Sequence, residues 1–128
     1  VTIIRHNPDA VFPPYSNYSH AVEVRGDVRM LFISGLNGYR SDRVTMPESF
    51  EGQAEQIWQH LGTVLRAAEM GYGDLVSVRT YLAAPEYRAA NTAIRARYLG
   101  DHCPSLTVVC SQLLDPAWKL ELEAVAAR

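Results

Sequence analysis

Leucine and carboxylate alternate strictly along Lys119-Leu120-Glu121-Leu122-Glu123-Ala124-Val125. On a strand, successive side chains point to opposite faces, so Leu120, Leu122 and Ala124 are expected to face a core and Lys119, Glu121 and Glu123 a surface that tolerates charge. The same reasoning predicts strands at Val1–His6, Ala21–Arg25, Met30–Ser34, Leu75–Leu82 and Leu106–Gln112. Gly26-Asp27 supplies the pair a tight hairpin wants between the second and third strands. Helical spacing is clearest where Phe50, Ala54, Ile57, Trp58, Leu61, Val64, Leu65 and Ala68 recur at intervals of three and four, with Gly71 expected to end the helix. Pro85 is expected to open a second helix through Tyr87, Ala90, Ile94 and Tyr98, closing at Gly100. The order is β-β-β-α-β-α-β-β.

Two helices cover only one face of such a sheet, and the expected covered face holds Val76, Val78, Thr80 and Leu82 with Leu120 and Leu122. The opposite face is expected to carry Ser77, Arg79, Tyr81, Glu121 and Glu123. Phe32, Leu106 and Val108, assigned to that same face, make it too aliphatic for plain exposure. Copies of the chain are therefore expected to bury it against one another.

A chain of 128 residues with 48% hydrophobic and 20% charged residues and a net charge of -2 fits one soluble domain over residues 1–128. The basic residues are scattered from Arg5 to Arg128 without a run, so no footprint for a nucleic-acid backbone is expected. No signal peptide or apolar span is recognised, and the expected compartment is the cytoplasm, with no membrane partner. Cys103 and Cys110 are the only cysteines and are read as reduced. His6, His20, His60 and His102 lack metal-site spacing, so neither metal nor other cofactor is expected.

Several short blocks, spread over the whole chain, together resemble the reactive intermediate deaminase (Rid) family, also called the YjgF or L-PSP endoribonuclease-like family. They are Tyr18-Ser19-His20-Ala21-Val22, Leu31-Phe32-Ile33-Ser34-Gly35, Gln53 through Gly71, Asn91, Pro104 within Cys103-Pro104-Ser105, and Glu121-Leu122-Glu123-Ala124. The resemblance implies an α+β, chorismate-mutase-like fold, one mixed sheet covered on one face by two helices. It also implies a homotrimer with clefts for a small molecule between neighbouring subunits.

Deaminase members of this family hold the carboxylate of a 2-imino acid with an arginine and deliver water to the imine carbon, releasing ammonia. That arginine lies two residues after the proline that starts the penultimate strand; here the proline is Pro104 and the matching position is Leu106. An isobutyl group forfeits charge-assisted hydrogen bonds worth roughly 1.5 to 3 kcal/mol each. The resemblance therefore implies a divergent member, with Leu106 excluding long polar chains and altered specificity toward a rather apolar or weakly anionic metabolite. Other cleft positions match: Tyr18 lines the pocket, Ser34 and Asn91 hydrogen-bond the substrate, and Glu121 orders the attacking water. Tyr15 competes with Tyr18 for the role of the aromatic ring.

Each of these residues has a plainer reading. Glu121 is either a general base or a structural acid. Arg79, aimed at the same face as the two glutamates, either grips a ligand anion or pairs with Glu121 or Glu123 at an interface. Val108 is expected to line the cleft beside Leu106, with Cys110 as a small packed thiol on the same face. His20 is either a proton shuttle or a satisfied structural histidine. Trp58 is read as core, and Trp118 as an edge of the cleft or of a subunit seam. The ribonuclease activity in one family name has no basic groove or acid–base pair to support it. The function expected is small-ligand binding in an intersubunit cleft, either with hydrolysis of an imine or enamine or as a non-catalytic regulatory trimer.

Overall fold

In the computed structural model, which describes residues 1–14 and 16–128, the six expected strands and two helices occur in the expected order. The strands are β1 (Thr2–His6), β2 (Ala21–Arg25), β3 (Met30–Leu36), β4 (Leu75–Leu82), β5 (Ser105–Cys110) and β6 (Leu120–Ala127), and the helices are α1 (Phe50–Ala67) and α2 (Arg88–Leu99). β3, β6, β4 and β5 form a mixed four-stranded sheet in that order, with β4 and β5 parallel and the other pairs antiparallel. β1 and β2 form an antiparallel ribbon. Gly26 does turn the chain, at φ 94, but β2 takes β1 as its ladder partner and β3 takes β6, so the expected β2–β3 hairpin is not a hydrogen-bonded one.

α1 starts where Ser49 Oγ accepts the Gly52 amide at 3.0 Å, capping one of the amide groups that has no partner within the helix. Its stripe buries Phe50, Ala54, Ile57, Trp58, Leu61 and Leu65. The helix stops earlier than Gly71. Glu69 takes the left-handed conformation at φ 58, donates its amide to Arg66 O, and hands the chain to Met70, whose amide reaches Leu65 O at 2.9 Å. Met70 is buried in the core, and this contact one turn from Leu65 fixes the exit of the chain. Gly71, with φ -135, is merely extended. A 3-10 turn at Pro85–Tyr87 leads into α2, which Gly100 closes at φ 58 as expected.

Val78, Thr80, Leu82, Leu120 and Leu122 are buried on the helix-covered face; Val76, expected there too, is buried but falls in a register shift of β4 and lies outside the core cluster, where Leu75 stands opposite Ala126 instead. Ser77, Tyr81, Glu121 and Glu123 are half-buried and Arg79 exposed on the outer face, with Phe32 projecting from it. For β5 the expected phase is reversed. Leu106 stands opposite Val78, Val108 opposite Thr80 and Cys110 opposite Leu82, and partners in a parallel ladder share a face, so all three lie on the helix side. Leu106 packs against the core, while Val108 and Cys110 remain exposed toward the open edge of the sheet. Thr107 and Val109 take the outer face instead, opposite Arg79 and Tyr81. Alternation gives two sets of side chains, but only the register with β4 says which set meets the helices.

Candidate functional site

A cavity of about 450 Å³ opens between α2 and β5. Tyr18, Asn91, Leu106 and Val108 all line it, together with Arg88 and Arg95. The Tyr18 segment is held there by its neighbour: Ser19 donates its amide to Pro104 O at 2.9 Å and its hydroxyl to Cys103 O at 2.6 Å, and it bridges to Ser105 at the start of β5. Asn91 is 3% exposed, and its amide has no hydrogen-bond partner among the described residues. An amide in that state at a cavity wall is ready to bond a ligand. Tyr15 lies outside the described residues.

Arg95 had no place among the expected site residues. It is 4% exposed, donates Nη2 to Ser16 Oγ at 3.0 Å, and leaves Nε buried without a partner. No carboxylate pairs with it among the described residues, and burial holds its pKa below the ordinary arginine value. The signal was present in the sequence as Asn91 and Arg95, one helical turn apart and so on one face of α2.

The remaining expected residues lie on the other side of the sheet. Ser34, Arg79 and Glu123 line a second cavity of about 450 Å³ with Phe32 and Val125. Glu121 lines a smaller one of about 290 Å³ with Gly35 and Tyr81. The two glutamates differ in their partners. Glu123 Oε1 accepts the Tyr81 hydroxyl at 2.7 Å and lies 3.8 Å from Arg79 Nη1, whereas Glu121 has no hydrogen bond or ion pair among the described residues. The bond to Glu123 raises the Tyr81 phenol above its ordinary pKa, because the carboxylate favours the protonated hydroxyl. Arg79 is largely exposed, so its long contact with Glu123 holds it weakly.

Of three further residues, His20 and Trp58 have structural partners, and Trp118 lines a cavity with Gly35, Arg40 and His60. A ring nitrogen of His20, Nε2, hydrogen-bonds Phe12 O at 2.6 Å, a contact in which the ring donates. Trp58 is core, stacked on Tyr98 at 5.4 Å, and Trp118 meets Tyr39 edge-on at 6.2 Å. Cys110, expected to be a packed thiol, is exposed at the end of the edge strand, where it lines the α2–β5 cavity. Among the described residues no group of three His, Cys, Asp or Glu side chains could hold a metal ion, and no helix is long and apolar enough to cross a membrane.

One protomer thus brings together Tyr18, Asn91, Leu106 and Val108 on one face of the sheet and leaves Ser34, Arg79 and Glu121 on the other. Chemistry that needs an acid or base beside the ligand-contacting groups requires two such surfaces to meet.

The chain is similar in sequence and fold to known proteins. Protein HMF1 of Saccharomyces cerevisiae is 30% identical over 112 residues, spanning 88% of this chain and 84% of that one. A crystal structure of a protein of unknown function, YyfB of the conserved Rid family from Yersinia pestis, superposes with a TM-score of 0.88 at 29% identity and covers 100% of both chains. RidA of an Antarctic Psychrobacter, at 23% identity and a TM-score of 0.73 over 94% of this chain and 95% of that one, shares the fold. The sequence model of the family described as Endoribonuclease L-PSP matches residues 9–128, so the chain belongs to that family, the Rid or YjgF proteins.

Proposed function

We propose that this chain forms a homotrimer whose intersubunit clefts bind a small metabolite and hydrolyse an imine or enamine. The observation that carries the reading is the division of the candidate residues between the two faces of one sheet. A cleft combining them is completed only when the outer face of one copy meets the α2–β5 edge of another. The outer face suits burial: Phe32 is 75% exposed, and Met30 and Val109 are exposed as well.

In such a cleft Tyr18 and Asn91 of one copy contact the substrate, with Leu106 and Val108 as its apolar wall. Ser34 of a neighbouring copy adds a hydroxyl, and Arg79 of that copy stands behind it with Glu123. Glu121 of the neighbour accepts a proton from water as the oxygen attacks the imine carbon. Glu121 returns that proton to the nitrogen, an enamine having first tautomerised to the imine, and the carbinolamine collapses to a carbonyl compound as the C–N bond breaks and ammonia leaves. No cofactor is needed for this hydrolysis. Both cysteines are free, which suits a reducing compartment such as the cytoplasm.

A non-catalytic trimer that binds a ligand and regulates a partner is the second reading, and Leu106 in place of the family's arginine favours it. Sedimentation tests the common part: a trimer is expected at micromolar concentration, and a monomer there would remove the cleft. Ammonia release from an enamine or 2-imino acid generated in situ then divides the two. Glu121→Ala abolishes release in an enzyme but only weakens ligand uptake in a binding protein.

A further inference from the structure

We propose that Arg95 on α2 is the anion-binding group of the α2–β5 cavity, and that the cavity takes a small monocarboxylate with an apolar tail. A guanidinium almost sealed from solvent, with no paired carboxylate among the described residues, one arm of its fork bonded only to the Ser16 hydroxyl and its Nε left without a partner, is a costly arrangement. A protein that keeps such a group beside an open cavity gains when an anion enters and neutralises it. The burial that lowers its pKa also strengthens its pull on a ligand carboxylate, because less water screens the pair.

The surrounding residues fix the rest of the ligand. Asn91, one turn earlier on α2, offers an unpaired amide on the same wall, and Arg88 adds a second, exposed positive charge at the rim. Across the cavity Leu106 and Val108 present only hydrocarbon. A carboxylate held from the helix therefore lays its tail on the strand, where the leucine at position 106 is a contact surface rather than a missing clamp. The inference rests on the proposed function only for the identity of the cavity as the ligand site.

The test uses the intact assembled protein and two isosteric probes, hexanoate and hexanamide, with binding followed through backbone amide NMR shifts. Hexanoate is expected to shift the amides of residues 91–95 and 105–108 and to bind at least tenfold tighter than hexanamide. Acetate should bind more weakly than hexanoate, since it lacks the tail. Arg95→Met should erase the preference for hexanoate over hexanamide, while Arg95→Lys should retain part of it. Equal affinities for the two probes in the wild type, or a preference unchanged in Arg95→Met, overturns the proposal. The wild-type comparison stands even if Arg95→Met does not fold. If Glu121 of a neighbouring copy already neutralises Arg95, the wild type shows no preference and Glu121→Gln creates one, which also overturns it. Ammonia release is measured separately, so a carboxylate binder without turnover sinks only the hydrolytic reading, and turnover indifferent to Arg95 sinks only this one.

Discussion

The carboxylate of Glu121 lies directly over Gly35: a Cβ on Gly35 would stand 2.3 Å from Glu121 Oε2 and 3.0 Å from its Cδ. The two residues meet because β3 and β6 are antiparallel neighbours whose ladder shifts register between Ile33 and Leu36. The glycine is thus needed for close approach, and it sets where Glu121, an acid without a hydrogen-bond or ion-pair partner among the described residues, can rest.

Gly35→Ala should therefore move the carboxylate while leaving the fold intact. The atom it strikes first is the end of a flexible side chain, so the stability cost should be about 0.5 to 1.5 kcal/mol, that of an altered rotamer. If Glu121 positions water, ammonia release should fall at least tenfold while the thermal midpoint drops by only a few degrees. Unchanged release in a well-folded Gly35→Ala protein would show that the placement of Glu121 is immaterial.

Leu106→Arg tests the position where the chain departs from its deaminase relatives. Leu106 is half-buried on the helix face, with the cavity in front of it, so an arginine stem can cover the same apolar surface while its head reaches the cavity. Each charge-assisted hydrogen bond to a substrate carboxylate is worth roughly 1.5 to 3 kcal/mol. Turnover of a 2-imino acid, expressed as kcat/KM, should rise about 10- to 100-fold. No gain, with the variant folded and trimeric, would mean that the substrate carboxylate is held elsewhere in the cavity, as at Arg95, and that position 106 meets the tail.

How far the sequence could be read depended on which property was local. Strand and helix order came through because alternation and three–four spacing are properties of consecutive residues, as in Leu120–Ala124 and Phe50–Ala68. The face of β5 did not, because its side chains take their orientation from register with β4, a partner some thirty positions away in the chain. Gly71 looked like the helix stop, yet the buried side chain of Met70 forces the left-handed turn onto Glu69. The family blocks named Tyr18, Asn91 and Leu106, and these do share one cavity. Arg95 was passed over because an arginine on an amphipathic helix is ordinarily solvated, and only its packing shows that this one is buried.

Tyr81 should titrate above its ordinary value of about 10, because its hydroxyl donates to the Glu123 carboxylate. Raising the folded-state pKa means that the fold binds this proton more tightly than the unfolded chain does. The stabilisation is complete below the unfolded pKa and is lost as pH rises through the folded one, so it fades from about pH 10 upward. Ultraviolet titration of the tyrosines, compared between wild type and Tyr81→Phe, isolates this phenol. Glu123→Gln should bring its midpoint down, and an unmoved midpoint would mean that the 2.7 Å bond is not made in solution.

Glu69 offers a prediction that is independent of function. It holds φ 58 in the turn that ends α1, where its own amide bonds Arg66 O and the next amide bonds Leu65 O. A side chain in that conformation costs roughly 1 to 2 kcal/mol through its Cβ, whereas glycine adopts it freely. Its backbone oxygen accepts from Arg128 Nη1 at 3.4 Å, and substitution leaves that contact available. Glycine also gives the unfolded chain more freedom, which offsets part of the gain. Glu69→Gly should therefore stabilise the protein by about 0.5 to 1 kcal/mol, seen as a thermal midpoint higher by a few degrees, with Glu69→Asn intermediate. Glu69→Ala keeps the Cβ and should gain nothing, so a rise for alanine equal to that for glycine would refute the backbone explanation.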